Sequence, residues 1–228
     1  MINFYYWPTP NARKVSILLE ELKINYKLIE IDINKGDQFE KKFLDISPNN
    51  KIPAIQLIEG NEKFNLFESG AILLFFAEKY EKFIPKEINK KYEVIQWLSW
   101  QIAGFGPMLG QAHHFNFYAK EIIEYARNRY SNEANRLYSI LDKKLYNKKW
   151  MTGEYSIADI ATYPWTMTPE RQGVELSDYP NVKRWKEAMS KRPAVKKGMI
   201  VGQEMKKNIK LTEEEFSNLF GKNQYKHR

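Results

Sequence analysis

The chain of 228 residues contains no cysteine and only three histidines. The first absence excludes disulfide staples and any protein thiolate nucleophile. With so few histidines it also puts a cysteine/histidine zinc site out of reach. If the protein does thiol chemistry, the sulfur must come from a ligand. No apolar run approaches the roughly 18 residues that a membrane-spanning helix needs. The opening Met1-Ile2-Asn3-Phe4 also lacks the basic, apolar and small-residue order of a secretory leader. A cytoplasmic protein with no membrane partner is therefore expected. Internal repeats and low-complexity tracts are missing too, and 43% hydrophobic content suffices to build one large or two small globular domains. Neither sign of charge dominates strongly: 36 basic against 28 acidic residues leave +8. The lysines are scattered, without a recognition-helix or aromatic RNA-binding pattern, so nucleic acid is not an expected partner. Such a surface still favours encounter with small anions.

What is present begins with a β-α-β signal. Ile2, Phe4 and Tyr6 alternate with polar positions up to Pro8. Val15, Leu18, Leu19 and Leu22 then mark an amphipathic helix, and residues 26–32 read as a strand apolar enough for a sheet covered on both faces. The polar stretch 34–50, broken by Gly36 and Pro48, predicts an irregular loop with a short helix over 39–44. After Pro53, residues 54–58 and 64–67 flank the turn at 59–61 and predict an antiparallel hairpin, followed by a helix over 70–80. Pro85 and a cluster of charges place a linker in 81–91. Beyond it the periodicity is helical throughout, which predicts an all-α bundle. One helix starts around Val94, Trp97 and Leu98. A long one runs through Ile122, Tyr125, Arg129, Leu137, Ile140, Leu141 and Leu145. Ser156 and Asp159 have capping-box spacing ahead of a buried helix, with Tyr155 as a staple residue. Residues 185–189 suggest one more helix, and Thr212 with Glu215 caps a short C-terminal one, with the last few residues frayed.

Several blocks stand at telling intervals: Thr9-Pro10-Asn11, residues 47–54 ending in Lys51-Ile52-Pro53-Ala54, Phe67-Glu68-Ser69-Gly70, residues 106–111 with His113-His114-Phe115, and residues 155–159. In this order they resemble the Nu-class bacterial glutathione transferases, a group similar to glutathione-dependent disulfide-bond oxidoreductases and to Ure2-like proteins. The resemblance covers about residues 1–200. It implies a thioredoxin-like N-terminal domain (1–82), an all-helical C-terminal domain (89–202) and an extension (203–228). It further implies a homodimer whose pocket holds two reduced glutathione molecules, or oxidised glutathione, and no metal.

The residue chemistry fits these implications. A free thiol is only a few per cent ionised at neutral pH, so a site that activates it must offer donors or positive charge. Thr9 and Asn11 stand at the start of the first helix, and by resemblance they are the catalytic, sulfur-stabilising pair. The same residues would also serve as plain helix caps. Glu68 and Ser69 stand where a strand runs into a helix, so their backbone amides suit the carboxylate of the γ-glutamyl group. Ile52, followed by Pro53, can pair its backbone with the cysteinyl part like an added strand. An ordinary proline turn is the alternative. By family position Gln38 contacts the glycyl end or the second glutathione, with Lys51 supplying charge nearby, and Arg129 reaches a glutathione carboxylate with its guanidinium fork. Arg13 and Lys14 are near the pocket without an assigned role. His113 and His114 face different directions on a helix and read as packing or pocket-wall residues. Residues 105–117 are expected to edge the electrophile or disulfide pocket, and Trp7 is a bulky departure that would narrow it.

The resulting expectation is reduction of small or mixed disulfides by two bound glutathiones. The rivals are a transferase that conjugates electrophiles or reduces organic hydroperoxides, and a non-catalytic glutathione-binding regulator.

Overall fold

The computed structural model describes residues 1–205 and 211–225. The chain divides into two compact units: Met1–Phe75 with the described part of Lys197–Arg228, and Phe76–Lys196.

The first unit is built on a four-stranded sheet in the order β2-β1-β3-β4. Strand β1 (Ile2–Tyr6) pairs parallel with β2 (Lys27–Glu30) and antiparallel with β3 (Ala54–Glu59), and β3 pairs antiparallel with β4 (Glu62–Phe67). The alternation read in the sequence is the alternation of burial: Ile2, Phe4 and Tyr6 are buried and Asn3 and Tyr5 are half-buried. The hairpin is one residue longer at β3 and two at β4 than the apolar pattern predicts, because Glu59 and Glu62 still pair across the Gly60-Asn61 turn. Gly60 supplies the positive φ that the turn needs. Strand β2 departs from the expected two-sided burial. It is an edge strand, exposed at Lys27 and Glu30 and half-buried at Leu28 and Ile29.

Helix α1 (Pro10–Leu22) links β1 to β2 and is buried more widely than one amphipathic stripe. Lys14, Ser16 and Ile17 are enclosed along with Val15, Leu18, Leu19 and Leu22. Part of the reason is helix α9 (Pro193–Ile200), which the sequence pattern did not reveal. Its Gly198 lies so close to Ile17 that an added Cβ would meet the Ile17 backbone at 2.5 Å, and Ser16 donates to Gly198 O at 2.7 Å. Between β2 and β3 runs a 3₁₀ turn, Asp37–Phe39, and then the short helix α2 (Lys41–Leu44). Phe43, Ile46, Ile31 and Ala54 form a small core beneath this loop. Helix α3 (Ser69–Lys79) follows β4 directly.

Beyond Phe67 the described residues form no strand, only an isolated bridge between Thr152 and Glu154. The second unit packs α4 (Ile88–Trp100), α5 (Gly106–His113), α6 (Glu124–Lys144), α7 (Ile157–Thr162) and α8 (Pro180–Ser190). Wider π-helical turns at Gln101–Phe105 and His114–Tyr118 flank α5. Ala134, Leu137, Tyr138 and Leu141 give α6 its buried face, whereas Ile122 and Tyr125 are 74% and 82% exposed and do not join the core. The capping box at α7 is complete. The Ser156 hydroxyl accepts from Ala158 N, and Asp159 accepts from Ser156 N at 3.1 Å. Tyr155 packs its ring against Phe83 and Trp150. After the second unit, α10 (Glu213–Phe220) carries the expected Thr212/Glu215 capping box. The expected fraying of the last few residues and His227 fall outside the described residues.

Candidate active site

Strand register brings three of the sequence blocks to one end of the sheet. Tyr5 of β1 lies opposite Ala54 of β3, and Ala54 lies opposite Phe67 of β4. Neighbouring strands are about 4.8 Å apart, so Thr9 and Asn11 after β1, Ile52-Pro53 before β3 and Glu68-Ser69 after β4 must leave the sheet side by side. The parallel partner β2 ends at the same edge, where Glu30 pairs with Tyr6, and delivers the loop that carries Gln38.

Thr9 is the N-cap of α1. Its hydroxyl oxygen accepts from Ala12 N at 3.4 Å, Pro10 occupies the first helical position, and Thr9 and Asn11 are both half-buried. Capping uses a lone pair and leaves the Thr9 O–H as a donor. The sheet ladder starts at Ala54, so Ile52 precedes it, and the Ile52-Pro53 peptide is cis. Ser47, fully buried, holds this turn from below by donating to Lys51 O at 2.9 Å.

Glu68 adopts a left-handed conformation, φ 69°, directly before the helical Ser69. Such a pairing of left- and right-handed residues aims successive amides into a concavity suited to an anion, here at the positive end of an eleven-residue helix. An exposed non-glycine residue held in that region costs about 1 kcal/mol or more, which marks the junction as a place where geometry outranks stability. Glu68 is exposed and its carbonyl accepts from Ile72 N, while Ser69 is only 6% exposed. Beneath the junction lies Lys14, 2% exposed, whose Nζ donates to Ser69 Oγ at 3.4 Å. Burial pulls this ammonium down to about 7, and the Glu68 carboxylate partly offsets that fall.

The remaining site residues are placed differently. Gln38 is 2% exposed, and its amide donates to Ile33 O at 3.1 Å and Asn218 O at 3.4 Å, leaving Oε1 buried with no hydrogen-bond partner among the described residues. Lys51 donates to Gln224 Oε1 at 3.1 Å. The Asn218 and Gln224 contacts come from the C-terminal segment, which the family resemblance did not reach. Asn218 is its anchor: 5% exposed, it donates to Asn34 O at 2.7 Å. Arg129 belongs to the second unit, exposed on α6. Trp7, the bulky departure, is 4% exposed. His113 stacks on Tyr118 and lies edge-on to Phe117, His114 lies edge-on to Phe115, and no group of three metal-ligating side chains exists among the described residues. Of the 105–117 stretch, Phe105 is fully buried and Phe117 is 42% exposed.

Lys14, expected near the pocket without an assigned role, is the residue that the structure buries against Ser69. A signal was available: positions 14, 18 and 22 form one stripe of the helix, and a lysine there shares its face with two buried leucines.

Comparison with known proteins follows the same lines. The family descriptions "Glutathione S-transferase, N-terminal domain" and "Glutathione S-transferase, C-terminal domain" match residues 1–78 and 107–193. The disulfide-bond oxidoreductase YfcG of Escherichia coli is 49% identical over 207 residues, which is 89% of this chain and 96% of that protein. A glutathione transferase from Pseudomonas putida, solved with one glutathione disulfide bound per subunit, superposes with a TM-score of 0.84 at 39% identity, covering 88% of this chain and 91% of the other. One from Burkholderia graminis, with two glutathione molecules bound per subunit, gives 0.82 at 39% identity over 89% and 88%.

Proposed function

Because the chain belongs to the glutathione S-transferase family of enzymes, we propose that it is a glutathione-dependent disulfide-bond oxidoreductase of the Nu type, acting on small or mixed disulfides. The observation that carries this reading is the convergence of Thr9-Asn11, Ile52-Pro53 and Glu68-Ser69 at one sheet end of a chain that has no cysteine. The site offers donors to a thiolate and an anion seat to a carboxylate, yet contains no sulfur nucleophile of its own. Relatives solved with glutathione disulfide or with two glutathiones supply the missing pair.

Each residue then has a physical task. The Thr9 O–H and the Asn11 side chain donate to the sulfur and favour its ionised form. The amides of Glu68 and Ser69 hold the γ-glutamyl carboxylate, and the Glu68 side chain accepts from the neighbouring ammonium. Ile52 pairs its backbone with the cysteinyl unit. Lys51 and Gln38 serve the glycyl end or the second molecule. Glutathione supplies the chemistry: one thiolate attacks the substrate disulfide and expels a substrate thiolate, and the second thiolate attacks the resulting mixed disulfide, expelling the other substrate thiolate and leaving glutathione disulfide. Adjacent thiolates repel, so the site keeps one sulfur protonated until the first exchange is complete.

The test is reduction of hydroxyethyl disulfide by purified protein and glutathione, with glutathione disulfide as the readout and the uncatalysed rate subtracted. Turnover is expected. Thioether products from electrophiles without disulfide turnover would make the protein a conjugating transferase. Tight glutathione binding with neither product would leave a binding protein.

A further inference from the structure

We propose that Gln224 sets the affinity of the glutathione site from within the chain. It holds the donors of Lys51 and, through Asn218, of Gln38, so that the C-terminal segment 212–225 competes with the acceptor groups of the ligand for that part of the seat. This rests on the reading of Gln38 and Lys51 as the residues that serve the glycyl end or the second glutathione.

The contacts form one continuous chain inside the first unit. Lys51 Nζ donates to Gln224 Oε1 at 3.1 Å. The Gln224 amide in turn donates to Asn218 O, and the same carbonyl accepts from Gln38 Nε2 at 3.4 Å. One side-chain amide thus ties together the two donors expected to face the ligand. Its footing is built from several bonds. Asn218, 5% exposed, donates to Asn34 O at 2.7 Å and accepts from Asn223 Nδ2 at 2.6 Å. Ser217 Oγ accepts from Asn223 N at 3.3 Å, and the Thr212/Glu215 capping box starts the helix that carries Ser217 and Asn218.

Gln38 in this arrangement has no polar atom to offer a ligand. Its amide nitrogen carries two hydrogens, both directed at carbonyls, Ile33 O at 3.1 Å and Asn218 O at 3.4 Å, and its Oε1 is enclosed. For Gln38 to bind glutathione one of these bonds must be exchanged. The longer one, made by the C-terminal segment, is the weaker. Lys51 has hydrogens to spare, but its partner Gln224 Oε1 is a neutral oxygen, and a carboxylate is the stronger acceptor for an ammonium. The segment therefore presents two neutral oxygens, Asn218 O and Gln224 Oε1, to donors that suit charged ones. Such a resident acceptor satisfies both donors in the free protein and yields to a carboxylate. The apparent affinity of the ligand is lowered by the fraction of molecules in which the segment holds them.

Glutathione disulfide is the probe, because it brings the glycyl carboxylates of two glutathiones and has no thiol to ionise. Titration calorimetry on the full chain reads its affinity. Gln224→Ala removes the grip on Lys51 and should bind about fivefold more tightly, a gain that damage to a pocket wall would not give. Gln224→Met keeps the length of the side chain without its amide and should show the same gain. Lys51→Met should weaken binding about fivefold, and adding Gln224→Ala to it should bring a smaller gain than in the wild type, since the shared contact is already gone. If both Gln224 variants bind as the wild type does, or more weakly, while Lys51→Met weakens binding, the competition is overturned and the glutathione reading stands. If Lys51→Met binds as the wild type does, the ligand does not use Lys51, and the role of Gln224 falls with it. Glutathione disulfide that does not bind the wild type at all overturns the glutathione reading itself.

Discussion

At Thr9, the helix cap and the proposed sulfur contact draw on different parts of one hydroxyl. Its oxygen accepts from Ala12 N, while its hydrogen is the donor that a thiolate needs. Thr9→Ser should therefore preserve both stability and disulfide turnover. Thr9→Ala should lose about 1 kcal/mol in a urea melt, as removal of a cap does, and about a hundredfold in turnover, as removal of a preorganised donor does. If turnover falls only in step with stability, Thr9 is a cap and nothing more. Asn11 gives the cleaner separation, because Thr9 already caps the helix. Asn11→Ala should keep its fold by circular dichroism yet reduce hydroxyethyl disulfide about a hundredfold more slowly, and unchanged turnover would remove it from the mechanism. The helix start that carries these two side chains was legible in the sequence because it is a local event marked by Thr-Pro. For Lys14 only the local half was legible, its stripe with Leu18 and Leu22, whereas its contact with Ser69, 55 positions away, was not.

Helix α7 shows how much one buried carboxylate can organise. Asp159 is fully buried and accepts from Met151 N at 3.0 Å, Ser156 N at 3.1 Å, Ser156 Oγ at 3.2 Å and Trp185 Nε1 at 2.8 Å. Burial pushes its carboxyl up to about 6 against the pull of these donors. Asp159→Asn would turn an amine toward at least one donor and leave it unsatisfied. It should cost about 1–3 kcal/mol, read as a lowered urea midpoint with disulfide chemistry retained in whatever fraction remains folded. A midpoint within error of wild type would show that the pocket rearranges around an amide. Both capping boxes, the β1 alternation and the 54–67 hairpin could be read beforehand because each is specified within a few residues. The edge position of β2, the burial of α1 beyond one stripe, the exposure of Ile122 and Tyr125 and the very existence of α9 could not. Each depends on what packs against it, and Gly198 reads as a helix breaker until Ile17 is found against it.

At the scale of the whole molecule, the open question is what covers the outer edge of the sheet. Strand β4 is the last in the order β2-β1-β3-β4, its first four residues are exposed, and Phe64 is 50% exposed with its ring 5.8 Å from that of Phe75. An edge strand with unpaired backbone groups and an aromatic on its surface is a liability for a monomer unless something covers it. Glu62 shares the face of β4 that carries Phe64 and Lys63 takes the other face, so this edge carries both signs of charge next to an exposed aromatic. A two-fold contact between identical copies can use such a patch, since each charge then finds its opposite. We therefore expect a homodimer with Phe64 in the contact. Light scattering coupled to size exclusion should report twice the mass of one chain, and Phe64→Glu should shift the population to monomer while S-methylglutathione still binds, because Thr9, Asn11, Ile52 and Ser69 lie at the other end of β4 from the Gly60-Asn61 turn. A wild-type monomer would end the dimer expectation, whereas an unaltered dimer in Phe64→Glu would move the contact to another face. Loss of ligand binding together with the dimer would tie the site's integrity to assembly.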